Sequence, residues 1–362
     1  SGLTLNGSTG AITGTIGGVG TTSVTFRVTD TVSGAFAERT FSIVGLDALY
    51  AFSSPMEFTN AGATGRNGPT LSQLRSAYTP SWTDNSNYLN VTTQGIQEWT
   101  VPASGTYRFI AFGAQGAHHY GNMSGSPDGG STNGKRGGYG ARGEGRINLT
   151  MGEVIKILVG QAAPGPWQWG GGGGGTFVVK SVNNVPLLCI GGGSGLSAYS
   201  RSTTYAPNDI KCNSTGTKPG SYWTSDASSS EYGMGGYGTT RNATLGYGGT
   251  TPQSGGGFYS SGTSGAGFLQ GGVGGSGPSY PPAHGGFGGG GAGTGTSRAG
   301  AGGGWTGGNG PTNSGTGGGV SAGGGTQVNP AVMNTIYEDR EQNGNTNVGG
   351  TSKHGYVLVY KI

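Results

Sequence analysis

The sequence predicts an all-β protein: a short β module, then a β-sandwich that carries packed glycine-rich polyproline II helices. Three observations lead there. Apolar residues alternate with period two in segments spread along all 362 residues. Glycine occupies 85 positions without the strict three-residue repeat of collagen. Aromatic residues are plentiful, with 17 Tyr, 11 Phe and 6 Trp, while only 9% of residues are charged, the reverse of a typical disordered composition.

The first module spans residues 1–45. In SVTFRVTD and RTFSIVG the alternation puts Val24, Phe26 and Val28, then Phe41 and Ile43, on one face, and Asn6-Gly7 and Gly17-Gly18 mark turns. Four strands in 45 residues are too few to bury a core alone. The stretch SGLTLNGSTGAITGTI followed by VTFRVTD resembles the immunoglobulin-like, cadherin-akin repeats of bacterial surface and phage structural proteins. Such modules begin with strands that have no counterpart here, so the resemblance implies a partial module and a chain that starts inside a domain of a longer polypeptide.

The second unit spans residues 46–362. GPTLSQLRSAY, with Pro69 and Thr70 ahead of helix formers, predicts one or two helical turns. Strands are predicted at about 96–117 with a turn at Gly105, about 145–162, about 175–192 with a turn at Asn183-Asn184, and about 354–362. Their alternating faces need covering, so these distant strands are expected in one antiparallel sandwich.

Between Glu231 and Thr326 there are 40 glycines in 96 residues, with Phe258, Phe268, Phe287 and Trp305 interspersed. A structureless linker of that length inside a domain is unexpected, because a strand follows it. Polyproline II helices make no internal hydrogen bonds, so their peptide groups can bond sideways to neighbours, and only glycine lets such backbones pack closely. WQWGGGGGGTFVVK then places Gly170, Gly171, Gly172, Gly173, Gly174 and Gly175 as an interior rod of a lattice at about 231–326.

WTVPASGTYRFIAFGAQGA, GGYGARGEGRINLTMGEVIKILVGQ, GGGGGGTFVVK, PLLCIGGGSG, GGFGGGGAG and GYVLVYKI occur in the order seen in the glycine-rich domain family. That family includes the extracellular glycine-rich domain of anaplastic lymphoma kinase type receptors and many bacterial and phage surface proteins, and phage tail-fibre adhesins use a similar glycine lattice. The resemblance covers about residues 50–362 and implies a sandwich with polyproline II-type glycine helices. The polar insert from Tyr199 to Ser230 departs from it, and the receptors' cytokine-contacting surface has no matching motif, so no ligand carries over.

Little in the sequence points to catalysis. The glycine run lacks the lysine of a phosphate loop. His118 and His119, with Asp128 not far away, have no second pair of ligands to complete a metal site and read as a solvated loop. Asp339 to Glu341 could supply one carboxylate of a glycosidase pair, but the 15 acidic residues are dispersed and a surface loop accounts for it better. Cys189, in an apolar run, and Cys212, in a polar one, form no disulfide framework, and their spacing leaves a bond between them open. We expect no enzyme activity, no cofactor and no metal. The net charge of +4 comes from scattered residues, which argues against nucleic acid, and no apolar run reaches membrane-span length.

Loop aromatics remain as binding candidates: His118, His119, Tyr120, Trp167, Trp169, Tyr205, Tyr222, Trp223 and Tyr280. Each could stack on a sugar ring or anchor a protein contact, or else cap an open end of the lattice. The expected function is extracellular, structural and adhesive, at a virion or bacterial cell surface: the distal part of a phage tail fibre or receptor-binding tip that recognises a cell-surface glycan or protein. The expected partners are that receptor and other fibre or filament subunits in a homo-oligomer. The competing reading is a filament subunit that polymerises by strand complementation, and a third, an animal receptor ectodomain, is disfavoured by the immunoglobulin-like repeat and the scarcity of cysteine.

Overall fold

The protein is described by a computed structural model covering residues 3–14, 19–45, 47–117, 138–164, 170–195, 217–218, 246–250, 252–277, 283–294, 299–310, 326–328, 333–338 and 354–362. Among these residues the strands are β1 (Leu3–Leu5), β2 (Ile12–Gly14), β3 (Gly20–Thr29), β4 (Phe36–Gly45), β5 (Met56–Phe58), β6 (Leu89–Asn90), β7 (Ile96–Thr100) and β8 (Gly105–Phe112). They continue with β9 (Arg142–Leu149), β10 (Val154–Leu158), β11 (Thr176–Lys180), β12 (Val185–Ile190), β13 (Thr217–Lys218), β14 (Thr326–Val328), β15 (Met333–Glu338) and β16 (Tyr356–Lys361). The protein is all-β apart from α1 (Leu71–Ala77) and short 3₁₀ turns.

The helix lies where Pro69-Thr70 predicts it. Thr70 caps it with its hydroxyl on the Gln73 N–H, and the Gln73 side chain returns a bond to the Thr70 N–H at 2.8 Å. Leu74 is its buried anchor.

β1 pairs with β2, and β3 with β4, as two antiparallel hairpins. The Asn6 carboxamide accepts the Ser8 and Thr9 N–H groups at the first turn, and the Asp30 carboxylate accepts those of Val32 and Ser33 at the second. The register opposes Val24 to Phe41 and Thr22 to Ile43, so Val24, Phe26, Val28, Phe41 and Ile43 do share one face. The other face is polar along its middle, with Thr25 bonded to Thr40 and Arg27 paired with Glu38, and carries Val44 and Phe36 at its two ends. The apolar face stays open among the described residues: Val28 is 76% exposed and Phe41 46%.

The remaining strands form two sheets, in the orders β13-β14-β12-β11-β10-β7-β6 and β15-β9-β8-β16-β5. The last strand, β16, lies between β8 and β5, both of which come from far earlier in the chain. One hydrophobic cluster joins the sheets: Trp99, Ile155, Ile157, Val178 and Leu188 from the first meet Phe58, Tyr107, Phe109, Ile147, Val357 and Val359 from the second. The seven-stranded sheet also has a buried second face. There Ile96, Leu158, Phe177, Val179 and Cys189 pack against Phe258, Phe268, Phe287 and Trp305 of the glycine-rich segment. Burial on both faces explains why TFVVK and PLLCI read as nearly continuous apolar runs.

The strands end earlier than the alternation suggests. β8 stops at Phe112, β10 at Leu158 and β12 at Ile190, and in each case the chain continues as glycine-bearing backbone outside any strand: 113–117, 160–163 and 191–195. The β11–β12 hairpin turns at Asn183 and Asn184, as expected, both with positive φ (58° and 47°). Asparagine tolerates that region better than other residues with side chains.

Candidate functional site: the glycine lattice and its aromatic rim

The six-glycine run is the centre of a backbone lattice. Its lateral hydrogen bonds repeat every three residues. The Gly172 and Gly175 N–H groups donate to Gly291 and Gly288, at 2.9 and 2.8 Å. The Gly170 and Gly173 carbonyls accept from Gly300 and Gly303, and the Gly171 and Gly174 carbonyls from Ala117 and Ala114. Gly173 donates to Gly193 and Gly174 to Gln161. The run therefore bonds to five other segments, and the three-residue recurrence of partners is the signature of an extended threefold helix. Partner numbers rise along 300–303 and fall along 288–291 and 114–117, so the lattice mixes parallel and antiparallel neighbours. Segments 191–195 and 300–303 repeat the pattern: Gly192 donates to Gly303 and Gly195 to Gly300.

Space is the reason for glycine here. None of Gly171 to Gly175 has a positive φ, but a Cβ on any of them would fall within 3.0 Å of another backbone. At Gly172 the obstacle is the Ala301 carbonyl, and at Gly174 that of Phe287. The peptide groups have no water to turn to in such packing, and lateral bonds satisfy both the N–H and the carbonyl of Gly172, Gly173 and Gly174.

Sheet and lattice meet at a polar node. The fully buried Thr176 hydroxyl donates to the Phe112 carbonyl at 2.6 Å and accepts the Gly160 N–H at 3.0 Å. Beside it Gly355 donates to the Gly160 carbonyl, and the His354 Nδ1 accepts the Ala162 N–H at 3.1 Å. Burial pulls the His354 pKa below the ordinary histidine value. The His284 Nδ1 similarly accepts the Gly277 N–H, and its pKa is lowered by burial and then by Arg66.

The five-stranded sheet carries the described charge cluster. By register Arg108, Arg142 and Glu144 share the face turned away from the core. Glu144 is 5% exposed and accepts from Arg108 Nε at 2.5 Å and Arg142 Nη2 at 2.7 Å. Burial raises its pKa, but the two guanidinium groups outweigh that and leave it below the usual carboxylate range. Arg108 also lies over the Tyr360 ring and Arg142 over Phe112. The cluster crosslinks β8, β9 and β16.

Gly170 to Gly175 make the lateral bonds described above. The predicted loop aromatics, His118, His119, Tyr120, Trp167, Trp169, Tyr205, Tyr222, Trp223 and Tyr280, lie outside the described residues, as do Asp128, Cys212 and Asp339 to Glu341. Cys189 carries a free, fully buried thiol whose pKa burial raises well above the ordinary value. Among the described residues no three His, Cys, Asp or Glu side chains gather as metal ligands, and no helix is long and apolar enough to cross a membrane.

The described structure adds an aromatic pair that sequence reasoning missed. Tyr247 and Tyr259 are both exposed, with ring centroids 6.3 Å apart and planes tilted by 53°. Behind them Trp305 meets Tyr259 edge-on at 5.4 Å and stacks on Phe258. Backbone bonds hold both in place: Tyr259 donates to the Gly246 carbonyl, Gly307 to that of Tyr247, and Phe258 to that of Trp305. The available signal was a tyrosine between glycines in LGYGG and another after GGGF.

No family model matches the chain. Part of it is similar to a receptor. Over 115 residues, 31% of the chain, it is 34% identical to the leukocyte tyrosine kinase receptor of Mus musculus. The match spans 12% of that receptor's length.

Proposed function

We propose that this chain is an extracellular, non-enzymatic adhesive module in which a stiff glycine lattice holds binding loops. The observation that carries the reading is the bonding of Gly170 to Gly175 to five separate segments. A lattice so cross-bonded is a stiff scaffold, and a rigid scaffold lowers the entropy lost on binding. The likeness to part of a protein named as a receptor supports a ligand-binding role at a cell surface. Within that class our specific choice is the distal part of a phage tail fibre or receptor-binding tip, supported by the ordered glycine motifs and the immunoglobulin-like start. Its partner would be a cell-surface glycan or protein, and repeated copies in a fibre would add avidity.

The test is retention of labelled protein on intact cells and on immobilised glycans, with the size of each glycan followed in parallel. Saturable retention without glycan shortening is expected. Shortening would mean an enzyme, and no retention on any surface would end the adhesive reading.

A second reading, a filament subunit, is favoured by the open hairpin. β3 and β4 are ten residues long, pair only with each other among the described residues, and expose Val28 and Phe41. Such edges can accept a strand from another copy. Elongation of the purified protein, seen by light scattering and electron microscopy, would favour it over the adhesin.

A further inference from the structure

We infer that Tyr247 and Tyr259 form a stacking platform for an uncharged saccharide. This inference rests on the binding reading above and names its ligand class and place.

The exposure of the pair is selective. Phe258, Phe268 and Trp305 are buried against the seven-stranded sheet, whereas Tyr247, Tyr259 and Leu269 are 38%, 44% and 41% exposed. The two tyrosines are therefore not part of that core. They stand on its outer side, adjoining it through the Tyr259 contacts with Phe258 and Trp305.

The pair is also built. Gly246 has φ +65°, and a Cβ there would come within 3.0 Å of both the Tyr259 and Trp305 rings. Only glycine lets that backbone lie against the two rings. The Gln270 amide donates to the Tyr259 carbonyl at 3.0 Å, and the Ser260 hydroxyl accepts the Gly248 N–H at 3.0 Å. Ring positions are thus set before any ligand arrives.

Charge decides the ligand class. From Asn242 to Ser297 the chain has no Asp, Glu, Lys or Arg, and segment 299–310, which carries Trp305, has none either. An anionic sugar, a phosphate or an acidic peptide would find no counter-ion on these segments, and recognition of such groups depends on one. What they offer is exposed aromatic rings on segments whose other exposed side chains include the uncharged hydrogen-bonding groups of Thr250, Ser261 and Gln270. A neutral saccharide matches that combination, with an apolar ring face to stack and hydroxyls around its edge.

The experiment uses the full chain, isotopically labelled, titrated with cellohexaose, maltohexaose and chitohexaose as neutral probes and with sialyllactose and a heparin hexasaccharide as anionic ones. At least one neutral probe should saturably shift the Tyr247 and Tyr259 ring resonances. Each of Tyr247→Ala and Tyr259→Ala should weaken that binding by between about three- and tenfold, and Tyr247→Phe should retain it. Unchanged hydrogen exchange at Gly170 to Gly175 in the variants would show that the fold is intact. The proposal is overturned if no neutral probe shifts these rings, if binding survives the double alanine variant, or if only the anionic probes bind. Where that happens and the protein still adheres to cells, the adhesive reading stands and this platform alone fails. Loss of both signals removes the two together.

Discussion

The hairpin module at residues 3–45 and the glycine lattice use the same residue for opposite reasons. Gly10 and Gly34, in hairpin turns, have φ near +70° and nothing within 4 Å of where a Cβ would stand. Glycine is needed there for its dihedral angle. Gly171 to Gly175 have no positive φ, yet neighbouring backbone occupies the place of each missing side chain. Glycine is needed there for space. Substitutions that keep the dihedral but add volume should therefore separate the two regions.

The largest effect is expected in the lattice. Gly174→Ala drives a methyl into the Phe287 carbonyl, whose residue is itself bonded to Gly65 and Gln161, and should cost about 3 kcal/mol or more in chemical denaturation. A cost below about 1 kcal/mol would mean that the lattice yields easily and would weaken its role as a rigid scaffold. Backbone amides of 170–175 should also exchange far more slowly than those of the hairpin turns.

Next comes the node between sheet and lattice. Thr176→Val keeps the shape but leaves the Gly160 N–H without the acceptor it now has, so a loss of about 1–3 kcal/mol is expected by the same measurement. Near-neutral behaviour would show that water or another group replaces the hydroxyl.

The lattice edge should also be acid-sensitive. His354 accepts a backbone N–H only when neutral, and its pKa in the folded protein lies below the unfolded value of 6.5. The unfolded chain then takes up protons first. The stability this histidine contributes is fully present above pH 6.5 and is lost as pH falls through that value toward the lowered folded one. His354→Gln, which can still accept the Ala162 N–H, should flatten that part of a pH–stability profile. If the profile is unchanged, His354 is not the responsible group.

The smallest effects belong to the hairpins. Gly34→Asn should lie within about 0.5 kcal/mol of the parent, because asparagine tolerates positive φ and has open space there, whereas Gly34→Ala should cost about 1 kcal/mol. Equal costs for the two would break the distinction between glycine for angle and glycine for space.

How much of this could be read beforehand depends on how local the cause is. The helix at Thr70, the Asn183-Asn184 turn and the alternation of β3 and β4 follow from short-range chemistry and are legible in the sequence. The strand ends are not. Phe112, Leu158 and Ile190 are followed by residues that still look extended, and only the neighbours decide whether such backbone joins a ladder or a lattice. The aromatic rim shows the same limit. Phe258 and Tyr259 are adjacent in sequence, but one is buried under Trp305 and the other faces solvent.

The sequence by itself determined that the protein is all-β and that the glycines are not collagen. Period, composition and turn chemistry are properties of short segments. The tertiary structure alone decided which five segments surround Gly170 to Gly175, that the lattice aromatics cover the second face of the seven-stranded sheet, and that Tyr247 and Tyr259 meet at its rim. Those are pairings between residues up to some two hundred positions apart, and glycines that look alike in sequence carry no label for their partners.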